Sequence, residues 1–320
     1  MNSRWLLLVL VAMACAVAGC GKSLGYPVQE SNSLPNSVSA GQPVHAKLPA
    51  RTARYLGVYE PDVPYSYSLI NHFSARAGRQ PNVVLYYNGW GEDFQTSFAD
   101  KAKKHHATVL IDLDPTSTSL SSIVDGSQDF YIQAYAEEVR AFGYPVIISF
   151  GHEMNGDWYP WGWTHAAPSE FVQAWRHVVT VFRTAGADNV TWLWTVNGIA
   201  SGEGPIKDYW PGDKYVTWVG MDSYFDFPYQ DFGSVFGPTI RAVRKLTKEP
   251  IIIAETAVGP LAGQTAKIPE LFSGVEKDHL LGFLWFDEPQ SGSPYKQDWR
   301  LEAGSPGVSV FRREVRQYMK

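Results

Sequence analysis

The chain has 320 residues, 45% of them apolar, and a formal net charge of −5. That composition suits one large or two small globular domains. The mild acidity and the lack of any Lys/Arg-rich run exclude nucleic acid as an expected partner.

The chain opens on a targeting segment. Arg4 precedes an apolar run from Trp5 to Ala18, which is short for a membrane-spanning helix. The run ends in Val17-Ala18-Gly19-Cys20, similar to a bacterial lipobox. Residues 1–19 are therefore expected to be cleaved and Cys20 to be lipidated, which makes the protein an exported lipoprotein held on a cell-envelope membrane. A plain secretory leader is the alternative. Cys15, the second of the two cysteines, leaves with the leader, so no disulfide is expected. Residues 20–50, rich in Ser, Pro, Gly and Gln, read as a flexible tether.

From Arg51 a strand–helix alternation runs to the end of the chain. The expected strands are Tyr55–Tyr59, Val83–Tyr87, Thr108–Leu113, Val146–Phe150, Val190–Thr195, Thr217–Asp222, Ile251–Glu255 and Leu281–Phe286. Each is short and nearly continuous in apolar residues, as strands covered on both faces are. Helical patterns lie between them. In Ser169–Ala185, residues Phe171, Trp175, Val178, Val179 and Phe182 share one face, with Ser169 as N-cap and Gly186 as the stop. Ala134–Phe142, Ile240–Leu246 and Val308–Met319 are similar, the last beneath strand eight. Eight such units over residues 51–320 predict an α/β fold, a single (β/α)8 TIM barrel. The rival doubly wound sheet lacks its phosphate loop, because Gly57-Val58-Tyr59-Glu60-Pro61 cannot cradle a pyrophosphate.

Catalytic groups of a barrel sit where strands end. Acids there are Glu60, Glu92, Asp112, Asp114, Glu153, Asp222, Glu255, Asp287 and Glu288. Glu153 follows the fourth buried run inside His152-Glu153-Met154-Asn155-Gly156-Asp157-Trp158-Tyr159-Pro160-Trp161. A carboxyl group can move a proton there, and Trp and Tyr rings can stack on pyranose faces. Glu255 follows the apolar run of strand seven. Two carboxyl groups facing each other across a cleft can share the work of cutting a glycosidic bond, provided one stays protonated in an apolar setting. Asp112 and Asp222 are expected to hold the surrounding hydrogen bonds, and Glu60, Asp287 and Glu288 to reach sugar hydroxyls. Trp90 is read as either cleft or core, and Trp192 and Trp194 as barrel filling or platform. His152-Glu153 is not a zincin site, because Gly156 stands where the second His would fall.

These residues resemble glycoside hydrolase family 26, a β-mannanase-like family in clan A of retaining (β/α)8 glycosidases. The resemblance covers the domain from about Tyr55, and its most specific motif is His152-Glu153 with Gly156 and Trp158. It implies Glu153 as acid/base and Glu255 as nucleophile. His152 would assist at the cleavage site, Tyr224 would hydrogen-bond the nucleophile, Trp285 would floor the cleavage subsite, and Trp158 and Trp163 would line the cleft. It also implies no cofactor, no metal and a monomer acting on a polysaccharide or oligosaccharide. Many mannanases of the family carry Arg three residues before the His, where this chain has Ser149. The expected substrate is β-1,4-mannan, with mixed-linkage β-1,3-1,4-glucan or another β-glycan as the alternative. A surface carbohydrate-binding protein without catalysis is the rival of another class.

Overall fold

The computed structural model describes residues 48, 54–199, 204–259, 263–289 and 298–320. The expected leader and Cys20 lie outside the described residues, as does the expected tether apart from Leu48.

Eight strands close a parallel barrel in sequence order: β1 (Tyr55–Tyr59), β2 (Val83–Gly89), β3 (Thr108–Asp114), β4 (Val146–Phe150), β5 (Val190–Asn197), β6 (Trp218–Asp222), β7 (Ile251–Thr256) and β8 (Gly282–Phe286). The seam is β1 on β8, paired from Tyr55↔Gly282 to Tyr59↔Phe286. The described helices are α1 (Ser68–Ala77), α2 (Thr96–Lys104), α3 (Leu120–Val124), α4 (Asp129–Phe142), α5 (Pro168–Thr184), α6 (Phe232–Val235), α7 (Gly237–Leu246), α8 (Gln264–Lys277) and α9 (Pro306–Tyr318). None of them is long and apolar enough to cross a membrane. The α5 helix starts one residue earlier than expected, with Pro168 at its first position and Ala167 as N-cap. Proline suits that position because its fixed φ is helical and its missing N–H has no acceptor there.

Strand side chains alternate, and the alternation sorts the core into two compartments. Inside the barrel lie Tyr55, Val83, Leu85, Leu110, Ile147, Leu193, Trp218, Ile252 and Leu284. Between barrel and helices lie the opposite residues, with the α5 stripe of Phe171, Trp175, Val178, Val179 and Phe182 fully buried. Trp192 and Trp194 belong to the outer compartment. Trp192 packs on Trp175 and Phe182, and Trp194 on Trp210, so neither fills the barrel nor forms a platform. Leu193 points inward instead.

At the C-terminal ends of the strands the inward layer turns polar. Tyr87, Asp112 and Ser149 are neighbours across β2, β3 and β4, and Asn197, Asp222 and Glu255 across β5, β6 and β7. Strict alternation would turn Glu255 outward, because Ile252 and Ala254 already take the inward places. A bulge prevents this. Ile253 pairs with Met221 but Glu255 with Asp222, one residue later than regular pairing allows, and the β7–β8 register slips in the same segment. The extra residue re-aims the carboxyl group into the barrel mouth.

Candidate active site

Glu153 stands just beyond β4, in a left-handed backbone conformation with φ +52°. Its N–H donates to the Thr195 carbonyl of β5 at 3.0 Å, which holds this uncommon turn in place. Both carboxyl oxygens are engaged. Asn197 Nδ2 donates to Oε1 at 2.6 Å and Trp158 Nε1 to Oε2 at 2.9 Å. Asn197 is itself clamped: Asn155 Oδ1 accepts its N–H at 2.8 Å, and Asn155 Nδ2 donates to its carbonyl at 2.9 Å. Asn155 is fully buried, so the end of β5 and the acid are braced against one side chain.

Burial pushes the Glu153 carboxyl up to about 7. The nearby His152 cation and the Asn197 and Trp158 donors pull it down, while Glu255 pushes it up. His152 is also buried. Its Nδ1 lies 2.9 Å from Asp114 Oδ1 and its Nε2 3.0 Å from Tyr159 Oη. Burial alone would lower its pKa, but Asp114, Tyr159 and Asp112 together raise it well above the usual value. As an imidazolium it donates from both nitrogens.

Glu255 accepts two phenols: the Tyr87 hydroxyl donates to Oε1, and the Tyr224 hydroxyl to Oε2 at 2.5 Å. Trp299 stacks on Tyr224 with centroids 4.0 Å apart and planes within 10°. Tyr59 meets Tyr87 edge-on and stacks on Phe286. Both phenols are therefore propped by aromatic neighbours. Beneath them, Asp222 is buried with neither carboxyl oxygen partnered among the described residues, and Asp112 keeps Oδ1 unpartnered. Burial, reinforced in Asp222 by the charge of Glu255, raises both well above the usual carboxylate range.

Asp112, His152 and Glu255 bring one potential metal-ligand atom each within 4.8 Å of one another. The His152 nitrogens and Glu255 oxygens already serve Asp114, Tyr159, Tyr87 and Tyr224. A cation would have to displace those bonds.

The structure thus brings Glu153, Glu255, His152, Trp158 and Tyr224 together. Trp158 is 36% exposed and lies flat on Gly156, where a Cβ would come within 2.4 Å of the indole. That contact explains the glycine of the motif. Trp163 is half-buried, its ring against Gly204, and its backbone N–H donates to the Met154 carbonyl at 2.9 Å. The remaining aromatics of the loop are structural: Trp161 donates to the His152 carbonyl at 2.8 Å and stacks on Tyr159.

Trp285, expected to floor the cleavage subsite, does not reach it. It falls on the outer parity of β8, is fully buried, packs on Phe311 of α9 and donates to the Trp299 carbonyl at 2.9 Å. It cannot floor a cleft. The indole beside the site is Trp299, which stacks on Tyr224. Trp90 is core: it donates to Gln128 Oε1 at 2.9 Å and packs on Tyr131 and Phe150. Glu60 and Asp287 are buried around Arg76 beside a cavity of ≈430 Å³, and Asp287 accepts the Leu301 N–H at 2.6 Å. They pin the segment after β8 and do not face the phenols. Glu288 is half-buried and bonded to Tyr59, and Glu92 accepts the Gly89 N–H of its own loop at 2.9 Å. Sequence reasoning missed Tyr87, Asn197 and Trp299. The first two occupy inward positions at strand ends and could have been found by continuing the alternation.

The profile of glycosyl hydrolase family 26 matches residues 81–264. Endoglucanase H of Acetivibrio thermocellus is 29% identical over 267 residues, covering 78% of this chain and 29% of that protein. A mannan endo-1,4-beta-mannosidase of Bacillus subtilis is 27% identical over 222 residues, covering 64% of this chain and 56% of that protein. The matches thus span less than two thirds of these relatives. A β-mannanase structure from Bacteroides ovatus superposes with a TM-score of 0.61 at 16% identity, covering 84% of this chain and 90% of that one. At that identity the likeness shows the barrel fold.

Proposed function

The chain belongs to glycosyl hydrolase family 26, and we propose that it is a retaining, endo-acting β-glycoside hydrolase of a cell-wall or matrix polysaccharide. Glu153 protonates the leaving oxygen while Glu255 attacks the anomeric carbon and forms a glycosyl-enzyme. Glu153 then takes a proton from water, which displaces Glu255. The carrying observation is the unequal environment of the pair. Glu153 is pushed up to about 7 by burial, whereas Glu255 is held by two phenol donors that orient a carboxylate for attack. Trp158 and Trp163 are the sugar-facing aromatics of this reading, and Tyr87 and Tyr224 position the nucleophile.

β-1,4-Mannan is the first substrate, supported by the Bacillus relative's name. A mixed-linkage β-glucan is the second reading. The longest match reported above is to an endoglucanase, and Ser149 stands where many mannanases of the family have Arg. Ser149 donates to Thr195 Oγ1 at 2.8 Å, and neither Asp222 oxygen has a hydrogen-bond partner among the described residues. Incubation with mannan, glucomannan, mixed-linkage glucan and xylan, with product analysis, decides between them. Binding without turnover on all four would favour a carbohydrate-binding protein.

The pH dependence follows from the same geometry. Glu153 must carry its proton to act as acid, so kcat/KM falls as pH rises through about 7. The Asn197 N–H favours the ionised form. Its removal in Asn197→Ala should move this limb to higher pH by about one unit. A limb that stays or moves to lower pH contradicts the role of Glu153.

We also propose that Cys20 carries a lipid, supported by the Val17-Ala18-Gly19-Cys20 motif. Labelling with a fatty acid should be lost in Cys20→Ser; retained label would refute the anchor.

A further inference from the structure

The exposed large apolar side chains among the described residues are Tyr65, Phe130, Trp158, Ile199 and Tyr229. Tyr65, Trp158, Ile199 and Tyr229 lie in the loops that leave β1, β4, β5 and β6, and Phe130 lies in the first turn of α4. None falls on a segment returning from helix to strand. Apolar exposure is therefore gathered on the face that carries Glu153 and Glu255.

Tyr229 is the one of these held by a second ring in a parallel stack. It is 80% exposed, and Phe227 lies against it with centroids 5.3 Å apart and planes within 8°. The loop that presents the pair is built. Gln230 Oε1 accepts the N–H groups of Asp226 at 2.7 Å and Phe227 at 2.8 Å, and the Gln230 N–H donates to the Phe227 carbonyl at 3.1 Å. Phe225 anchors the base of the loop beside the exit of β7: its N–H donates to the Ala257 carbonyl and its carbonyl accepts the Gly259 N–H, both at 3.1 Å. Tyr229 follows Tyr224, which holds Glu255, by five residues. The chain between them spans at most about 18 Å, so the pair stands within a few sugar rings of the bond that would be cut.

A rigid aromatic face open to water loses hydration cheaply when an apolar surface covers it, and it loses little side-chain freedom on binding. The C–H face of a β-linked pyranose is such a surface. We propose that the Phe227–Tyr229 pair is an outer sugar-binding platform for one hexopyranose unit of the β-linked chain. This rests on the glycosidase reading of the same face. The platform grips the polymer away from the cleavage point, so its contribution grows with chain length.

The test uses the full chain and β-linked tri- and hexasaccharides of the glycan that the wild type hydrolyses best. Tyr229→Ala should lower the ratio of hexasaccharide to trisaccharide kcat/KM by about tenfold and shift the bond cut in end-labelled hexasaccharide. Tyr229→Trp should keep the ratio. Tyr65→Ala, which removes an exposed ring from another loop of the same face, should keep it too. An unchanged ratio and cleavage pattern in Tyr229→Ala would overturn the platform. Should the wild type hydrolyse no β-glycan, the glycosidase reading fails, and binding of mannohexaose and of a mixed-linkage glucan hexasaccharide decides the platform separately. Loss of affinity for either in Tyr229→Ala supports it, and equal affinity for both refutes it.

Discussion

Glu255→Ala is expected to abolish hydrolysis, with kcat/KM on polysaccharide falling by at least about 10⁴-fold, or roughly 5 kcal/mol of transition-state stabilisation. No other described carboxyl group is placed to attack in its stead. Asp222 lies beneath it, buried and driven towards the neutral form, and Asp112 is likewise buried. The variant should fold. Losing Glu255 leaves two phenols without their acceptor, a cost on the order of 1–3 kcal/mol each. It also removes the negative charge that pushes on Asp112 and Asp222, which offsets that cost. Circular dichroism and a melting curve close to the wild type, with no product after long incubation, is the expected pair of results. Full activity in the folded variant would remove Glu255 from the mechanism.

Glu153→Ala should separate substrates by their leaving group. On polysaccharide the loss of acid catalysis costs about 10²–10⁴-fold. On a dinitrophenyl glycoside the leaving group needs no proton, so formation of the glycosyl-enzyme keeps most of its rate. Its hydrolysis slows because the base is gone, so kcat and KM both fall, and azide should restore turnover by intercepting the intermediate. Equal losses on both substrates, with no azide effect, would mean that Glu153 serves binding instead of proton transfer.

Much of this architecture is legible in the sequence because barrel strands are buried on both faces. Their apolar runs stand out, and each expected strand overlaps an observed one to within about two residues at either end. The site is legible where an acid directly follows such a run, as at Glu153 and Glu255. What escapes is orientation. The β7 bulge that turns Glu255 inward leaves no mark on Ile251–Thr256. The family resemblance implies Trp285 as the floor of the cleft, yet its place opposite Leu284 and Phe286 in the alternation puts it under α9. Asn197 lies two residues beyond the expected limit of β5, and Tyr87 closes the expected β2 at an inward position that its apolar neighbours mask. Trp299 reaches Tyr224 only through the fold of the segment after β8, pinned by Asp287 on the Leu301 N–H. No local pattern encodes that contact.

The dense aromatic loop after β4 also reads differently in three dimensions. Sequence alone offers its rings as sugar platforms. In the folded chain Trp161 and Tyr159 instead form the stack that holds His152, and Trp158 is the ring left open beside Glu153. One aromatic cluster thus supplies both the brace that holds His152 and the surface against which a sugar can lie.

The most direct measurement of the central claim is the configuration of the first product. Proton NMR of the wild-type enzyme cutting its best β-linked oligosaccharide, read before mutarotation, should show the β-anomer appearing first and the α-anomer only later. That order is what two displacements through Glu255 require. The α-anomer appearing first would mean a single displacement by water, and would contradict the assignment of Glu255 as nucleophile and Glu153 as its acid/base partner.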